Sequence, residues 1–215
     1  MRENYATIEY TLSKSMYLAI KRTFDIIISL ISLILLSPIL LIIAIAIRLE
    51  DGGNAILVQE RIGLNGKLFK FYKFRSMIKD ADKVLFELLE NDEALALEYK
   101  INKKLVNDPR ITKIGKFIRK TSLDELPQLI NILKGDMSFV GNRPYLPREI
   151  NDMQPYYESI IKSKPGLTGL WQVSGRSNLT FKNRCKIEAD YSEKMSLSLD
   201  IKIFFKTFAV VLKGL

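Results

Sequence analysis

Histidine is absent from this chain, and cysteine occurs once, as Cys185. These absences exclude a Ser-His-Asp triad, a Cys-His pair, a Cys/His zinc site and an intrachain disulfide. Any general base, nucleophile or metal ligand must then come mostly from Asp and Glu. An enzyme built on this sequence is a carboxylate enzyme, and a hard cation such as magnesium is its expected metal. Cys185 lies on a charged stretch and receives no role. Also missing are an aromatic-basic RNP pattern, a homeodomain-like helix and zinc-finger spacing, so the net charge of +9 does not by itself point to nucleic acid.

Charge of either sign is missing from Ile26 to Ile47, a run of 22 residues made of Ile, Leu, Ala and Ser with one Pro. As a helix it reaches about 33 Å, against roughly 30 Å for the hydrocarbon core of a bilayer. A buried helix of a soluble domain seldom runs this long without a polar face. A cleaved signal peptide is disfavoured by the 25 residues that precede the run and by the lack of a small-residue cleavage pattern beyond it. The basic balance suits an anionic leaflet, so a lipid bilayer is the first expected partner.

Ser37 and Pro38 stand at the middle of the run. Proline removes a backbone donor and bends a helix, and in lipid the freed carbonyl needs another partner such as the Ser37 hydroxyl. Lys14, Lys21 and Arg22 precede the run, and Arg48, Lys67, Lys70 and Lys73 follow it. If both flanks obey the cytoplasmic preference of Lys and Arg, the segment enters and leaves by one face. A re-entrant helix-break-helix is therefore expected, with a kinked single span as the alternative. Asp25 is expected at headgroup depth. The chain divides on this reading into a lead over 1–22, the membrane helix-break-helix over 23–50, a catalytic domain over 51–200 and an amphipathic helix over 201–215.

Beyond the turn cluster at residues 51–54, Ala55 to Glu60 and Lys67 to Phe74 read as two strands joined through Leu64, Asn65 and Gly66, the Asn-Gly pair being a strong hairpin signal. Alternation puts Phe69, Phe71 and Lys73 on one face and Leu68, Lys70, Tyr72 and Phe74 on the other. A single helix is expected from Asp80 to Lys100, and a short basic one from Ile111 to Arg119 in which Gly115 permits a close contact. The fold class is α+β: a mostly helical monotopic membrane protein with a re-entrant N-terminal helix and a small antiparallel hairpin or sheet.

The most informative stretch is TSLDELPQLINILKGDMSFVG, from Thr121 to Gly141. Ser122, three residues before Glu125, fits a capping box, and Asp124 falls in the opening turn where free N–H groups favour its ionised form. Read from spacing alone, this pair either serves the helix terminus or borders a site. From Ile201 to Leu215, phenylalanines and aliphatics recur at three- and four-residue spacing with lysines between them. That is the pattern of an interfacial helix or of one packed on the domain.

Four ordered stretches, QERIGLNGKLFKFYKFRSM, RKTSLDELPQLINILKGDMSFVGNRPYLP, KPGLTGLWQVSGR and DYSEKMSLSLDIKI, closely resemble the bacterial sugar transferase family. These are the monotopic polyprenyl-phosphate phosphoglycosyl transferases. The resemblance covers nearly the whole chain, which looks like the minimal catalytic form or the C-terminal catalytic portion of a larger member. It implies transfer of a sugar-1-phosphate from a UDP-sugar to undecaprenyl phosphate with release of UMP and with magnesium present. This would be the first membrane step of polysaccharide or glycan assembly, at the cytoplasmic face of a bacterial inner membrane.

The resemblance also assigns roles. Asp124 becomes the nucleophile, with Glu125 beside it, and both are candidate magnesium ligands, joined by Asp136. Arg75, Arg143 and Arg176 fall in matching motifs and suit phosphate oxygens, though each could instead pair with a carboxylate. Gln172 and Trp171 could border a sugar or nucleotide pocket. The motif around Arg143 inclines the donor toward UDP-galactose or UDP-glucose. A catalytically silent membrane scaffold of the same pathway is the alternative, and a second copy of the chain could pack against the hairpin or the terminal helix.

Overall fold

A computed structural model describes residues 2–175 and 179–214, with side chains described between residues 13 and 209; Arg176 lies outside the described residues. The apolar run belongs to one helix, α1 (Arg2–Asp51), which continues through Pro38. The expected break is therefore not a loss of helical structure, and the expected lead and membrane segment are one element. Pro38 cannot bond the carbonyl of Ile34, and the Ser37 hydroxyl donates to that oxygen at 2.8 Å. This bond offsets part of the roughly 3 kcal/mol that an interior proline costs.

Both flanks of the apolar run of α1 are held by the same body. Before the apolar run, Lys21 donates to the Val140 carbonyl at 2.8 Å and pairs with Asp200, and Arg22 donates to the carbonyls of Ile132 and Leu133 at 2.5 and 2.7 Å. Asp25, expected from the sequence at headgroup depth, lies inside the protein. It is buried and accepts from the Ser138 hydroxyl at 3.0 Å and the Phe139 amide at 2.9 Å. After the run, Ile43 and Ile47 are buried with Phe74 and Ile118, and Glu50 accepts from the Ile114 amide at 3.2 Å. Ile34, Leu35, Leu41 and Ile42, on the outward face, are exposed. An apolar run fastened at both flanks to one body cannot present those flanks to opposite sides of a bilayer. The protein is monotopic, held by the outward apolar face of α1.

The hairpin is as expected: β1 (Ile56–Ile62) and β2 (Leu68–Phe74) pair antiparallel from Ile56 opposite Phe74 to Ile62 opposite Leu68. At the turn Asn65 and Gly66 adopt positive φ of 55° and 76°, the conformation in which Asn and Gly are least penalised. The outer edge of β2 is covered by the Asn131 side chain, which accepts from the Tyr72 amide at 3.0 Å and donates to the Lys70 carbonyl at 2.6 Å.

The long helix expected after the hairpin is two, α2 (Ala81–Asn91) and α3 (Glu93–Asn102). Asp92 separates them because its carboxylate accepts from the amides of Ala94 and Leu95 and caps α3. The basic helix α4 (Lys113–Lys120) is capped by Thr112, and a Cβ on Gly115 would fall 2.0 Å from the Ser76 carbonyl oxygen, so the close contact expected there is present.

α5 (Gln128–Lys134) packs on α1 and β2 through Leu129 and Ile132. A parallel pair not anticipated from the sequence, β3 (Ser138–Val140) with β4 (Gly166–Thr168), follows. Short helices α6 (Tyr157–Ile160) and α7 (Leu170–Val173) precede α8 (Phe181–Lys194) and α9 (Leu197–Gly214). α9 begins four residues before the expected 201. Its Asp200 is buried among Lys21, Tyr17 and Tyr191, so the helix is docked on the domain by its first turns.

Candidate active site

Asp124 lies in a 3-10 turn, Leu123–Glu125, between α4 and α5. The capping box expected at Ser122 does not form. Ser122 is at φ 58°, in the left-handed region, and its side chain caps nothing. The turn is closed by i to i+3 bonds from Glu125 to Ser122 and from Leu126 to Leu123, and Pro127 then opens α5. The result separates the two carboxylates. Asp124 is buried and Glu125 half-buried.

The partner of Asp124 is Lys73, whose Nζ lies 2.7 Å from Asp124 Oδ2 and 3.8 Å from Glu125 Oε1. Lys73 sits on the face of β2 that also carries Phe71, and both border a cavity of about 580 Å³, a size that accommodates a small-molecule substrate. Glu125 borders it as well. A second cation near Asp124, the half-buried Arg119, donates from Nε to the Ser76 hydroxyl at 2.8 Å. Burial lowers the Arg119 pKa, and the charges of Asp124 and Asp108 oppose that shift.

The cavity wall is strongly cationic. Lys73, Lys104, Arg61, Arg143 and Arg184 all contribute to it. Arg61 donates to the Pro144 carbonyl at 3.0 Å and lies over the Phe71 ring; burial, then the neighbouring Arg143, lower its pKa to about 10. The Arg184 guanidinium lies 4.9 Å from the centre of the Trp171 ring. Among the described residues four buried donors at this wall, Arg61 Nε, Arg143 Nε, Arg184 Nε and Trp171 Nε1, have no hydrogen-bond partner. Unmet donors of this kind are costly, and a multiply charged oxyanion would satisfy them.

The sequence-derived residues do not all converge. Arg143, Gln172 and Trp171 line the cavity together with Glu125 and the partner of Asp124. Arg75 does not. It pairs with Asp51 at the end of α1 and packs on Gly53, holding the helix to the hairpin. Asp136 accepts from Asn131 at 3.3 Å and does not join the dyad: among the described residues no group of three Asp, Glu, Cys or His side chains could hold a metal.

Sequence reasoning missed Lys73, Arg61, Arg184 and Glu188. Glu188 is fully buried, accepts from the Arg143 amide at 2.7 Å and is pushed up to about 7 by burial, against the pull of Tyr145, Arg143 and Arg184. A signal was present: Phe181, Arg184, Cys185, Glu188, Ala189 and Ser192 are buried along α8 at helical spacing.

Residues 16–214 match the family described as bacterial sugar transferase. The chain belongs to that family. This family member is 47% identical over 206 residues to the undecaprenyl-phosphate galactose phosphotransferase of Salmonella typhimurium, covering 96% of this chain and 43% of that protein. It is 42% identical to the exopolysaccharide production protein ExoY of Sinorhizobium fredii over 191 residues, 89% of this chain and 84% of that one. Against the UDP-glucose:undecaprenyl-phosphate glucose-1-phosphate transferase of Escherichia coli the identity is 38% over 203 residues, 91% of this chain and 40% of that protein. The chain thus spans less than half the length of two of these curated relatives and most of the third.

Proposed function

We propose that this chain transfers a sugar-1-phosphate from a UDP-sugar to undecaprenyl phosphate, releasing UMP, through a phosphosugar carried covalently on Asp124. The observation that carries the reading is the Lys73–Asp124 pair, 2.7 Å apart, at the wall of a cavity lined by arginines. A diphosphate entering such a cavity finds donors for its oxygens and competes for Lys73, which frees the Asp124 carboxylate at the moment a phosphorus is close to it. The names of the relatives favour galactose or glucose as the sugar.

An Asp124 carboxylate oxygen attacks the phosphorus that bears the sugar. The bond from that phosphorus to the bridging oxygen of the diphosphate breaks, and its electron pair leaves with UMP. An oxygen of the lipid phosphate then attacks the same phosphorus. The bond to the Asp124 oxygen breaks, and its electron pair restores the carboxylate. Glu125 remains at the cavity edge in both steps.

Two carboxylates are few for a metal held by protein alone, but they fit magnesium, which takes one or two carboxylates and completes its shell with substrate phosphates and water. In this reading Asp124 and Glu125 are the protein ligands, and Asp136 is dropped from the set. When bound, the ion would neutralise diphosphate charge.

The decisive experiment uses a donor radiolabelled in the sugar phosphate, added before any lipid. Wild-type protein is expected to carry label, and Asp124→Asn to carry none while still binding donor. Turnover with undecaprenyl phosphate should fall on the order of 10⁴-fold. An unchanged turnover rate in folded Asp124→Asn protein would reject the covalent assignment, and no product with any UDP-sugar would leave a silent scaffold.

We also place both ends of α1 at the cytoplasmic face of a bacterial inner membrane. Cysteines introduced singly at Thr11 and Asn54 should both react with a reagent confined to that face. The native thiol should give little background, because Cys185 is buried and burial pushes it up to about 11. Reaction of Thr11→Cys only from the opposite face would mean that the helix crosses.

A further inference from the structure

The cavity has two chemically different sides. Arg61, Arg143 and Arg184 form one. The other is apolar, and its outermost part comes from α9, where Phe204 and Phe208 line the same space as Phe139 and Leu126. These aromatics form a continuous ladder: Phe204 meets Phe139 edge-on at 6.4 Å and Phe208 at 5.1 Å. The ladder does not end inside. Phe208 lines the cavity and is still 55% exposed, while Phe205, one residue after Phe204, is 67% exposed on the outer side of α9.

A sugar nucleotide offers nothing to such a surface at its solvent end, and a chain working only in water would gain by replacing it with polar residues. The position of α9 supplies the explanation. Its first turn is tied to the start of the membrane helix through Asp200, which binds Lys21 and Tyr17, and the Thr168 and Thr207 hydroxyls are 2.7 Å apart, holding its middle against β4. The two helices with outward apolar faces are therefore joined, and the aromatic ladder runs into the cavity from the exposed Phe208, about two helical turns along α9 from that joint.

Resting on the transfer reaction proposed above, we infer that the Phe204–Phe208 face of α9 is the portal through which the polyprenyl phosphate enters. The first isoprene units pack on these rings, and the phosphate reaches the cationic wall. Phe204 is the inner and Phe208 the outer part of the portal. Neither ring takes part in bond making, and both act by binding the acceptor. The donor reaches Asp124 without touching Phe208.

The two half-reactions separate this inference from the one it rests on. Phe208→Ala is measured in the full chain in bilayer nanodiscs, with Phe208→Leu as the conservative variant and Phe205→Ala as a control on the same helix outside the cavity. Labelling of the protein by UDP-sugar should be unchanged in all three. Discharge of label to undecaprenyl phosphate at low lipid should slow about tenfold in Phe208→Ala, the loss expected for one large apolar contact, and far less in Phe208→Leu and Phe205→Ala. In steady state the KM for lipid rises and that for donor does not.

Slower labelling by donor in Phe208→Ala would overturn the portal and assign this face to the donor. Equal slowing in Phe205→Ala would overturn it in favour of general membrane contact. If wild-type protein turns over without a labelled intermediate, the covalent step fails, and the portal is judged by the same split between the two KM values. If wild-type protein gives no turnover, the readout is crosslinking to a photoreactive polyprenyl phosphate: less crosslinking in Phe208→Ala alone supports the portal, and equal crosslinking in every variant overturns it.

Discussion

Two buried carboxylates flank the cavity, and they are held in opposite ways. Asp124 is 3% exposed and has the Lys73 ammonium against one oxygen. Glu188 is 1% exposed, and its closest contact is the backbone amide of Arg143. Its second oxygen has no hydrogen-bond partner of ordinary geometry, the nearby Tyr145 hydroxyl lying 3.5 Å from Cys185 Sγ. A direct cation aims a buried carboxylate, whereas at Glu188 a single amide leaves burial as the dominant influence. The first arrangement suits a group that must attack. The second suits a group that sets the position of Arg143 and the charge behind the cationic wall.

Removing the cation is the strongest way to break this contrast. Lys73→Gln removes the ammonium in direct contact with Asp124 and leaves Arg119 as its remaining cationic neighbour among the described residues, and it takes from the cavity the cation that can pass from the carboxylate to an incoming phosphate. Formation of the labelled protein is expected to slow about a hundredfold, the scale of misplacing a reacting group, with Lys73→Arg recovering part of the loss. Discharge to lipid should be less affected than labelling. A rate of labelling within twofold of wild type would show that Lys73 is only a structural partner.

The contrast also explains what the sequence could tell. Alternation along residues 67–74 assigned Phe71 and Lys73 to one face correctly, because strand parity is a local property. That Lys73 reaches Asp124, 51 positions later in the chain, depends on α5 docking against β2 through Asn131, and no local pattern encodes it. Ser-x-x-Glu fits a capping box and also a 3-10 turn; the left-handed Ser122 decides between them, and a non-glycine residue gives no warning of that conformation. The apolar stripe over residues 84–97 continues across Asp92, so periodicity alone joined α2 to α3.

The arginines show the same limit. Arg75 and Arg143 both stand in motifs of the family, yet one binds Asp51 and the other lines the cavity, because a motif marks a position without naming its neighbour. Glu188 stands in a helical stripe with Arg184, Cys185 and Ala189, but from the sequence the stretch reads only as charged, and no role follows from it. The membrane helix was the most legible element, since its length and lack of charge are properties of the chain itself. The Ser37 bond to Ile34 is local enough to have been expected too.

The smaller test acts on Glu188. Its pKa in the fold is about 7, raised by burial from the model-peptide value of 4.5. A raised carboxylate pKa means that folding favours the protonated form. Below pH 4.5 the group is protonated in both folded and unfolded chains and its contribution is fully present; as pH rises toward 7 the unfolded chain gains by ionising, and that stability is lost. Glu188→Gln keeps an oxygen for the Arg143 amide and cannot ionise, so the difference between the two proteins isolates this one group. The denaturation midpoint of Glu188→Gln minus that of wild type should grow from pH 4.5 to 7 and level off above it. Arg143 and Arg184 oppose the shift, and their loss of a counter-charge in the variant will reduce the plateau without moving the window. In the same range UMP should inhibit Glu188→Gln several-fold more strongly than wild type at pH 8, where wild type carries the extra negative charge behind Arg143, and about equally at pH 5.5. A midpoint difference independent of pH would mean that Glu188 does not titrate there, and the contrast between the two carboxylates would reduce to their hydrogen bonds.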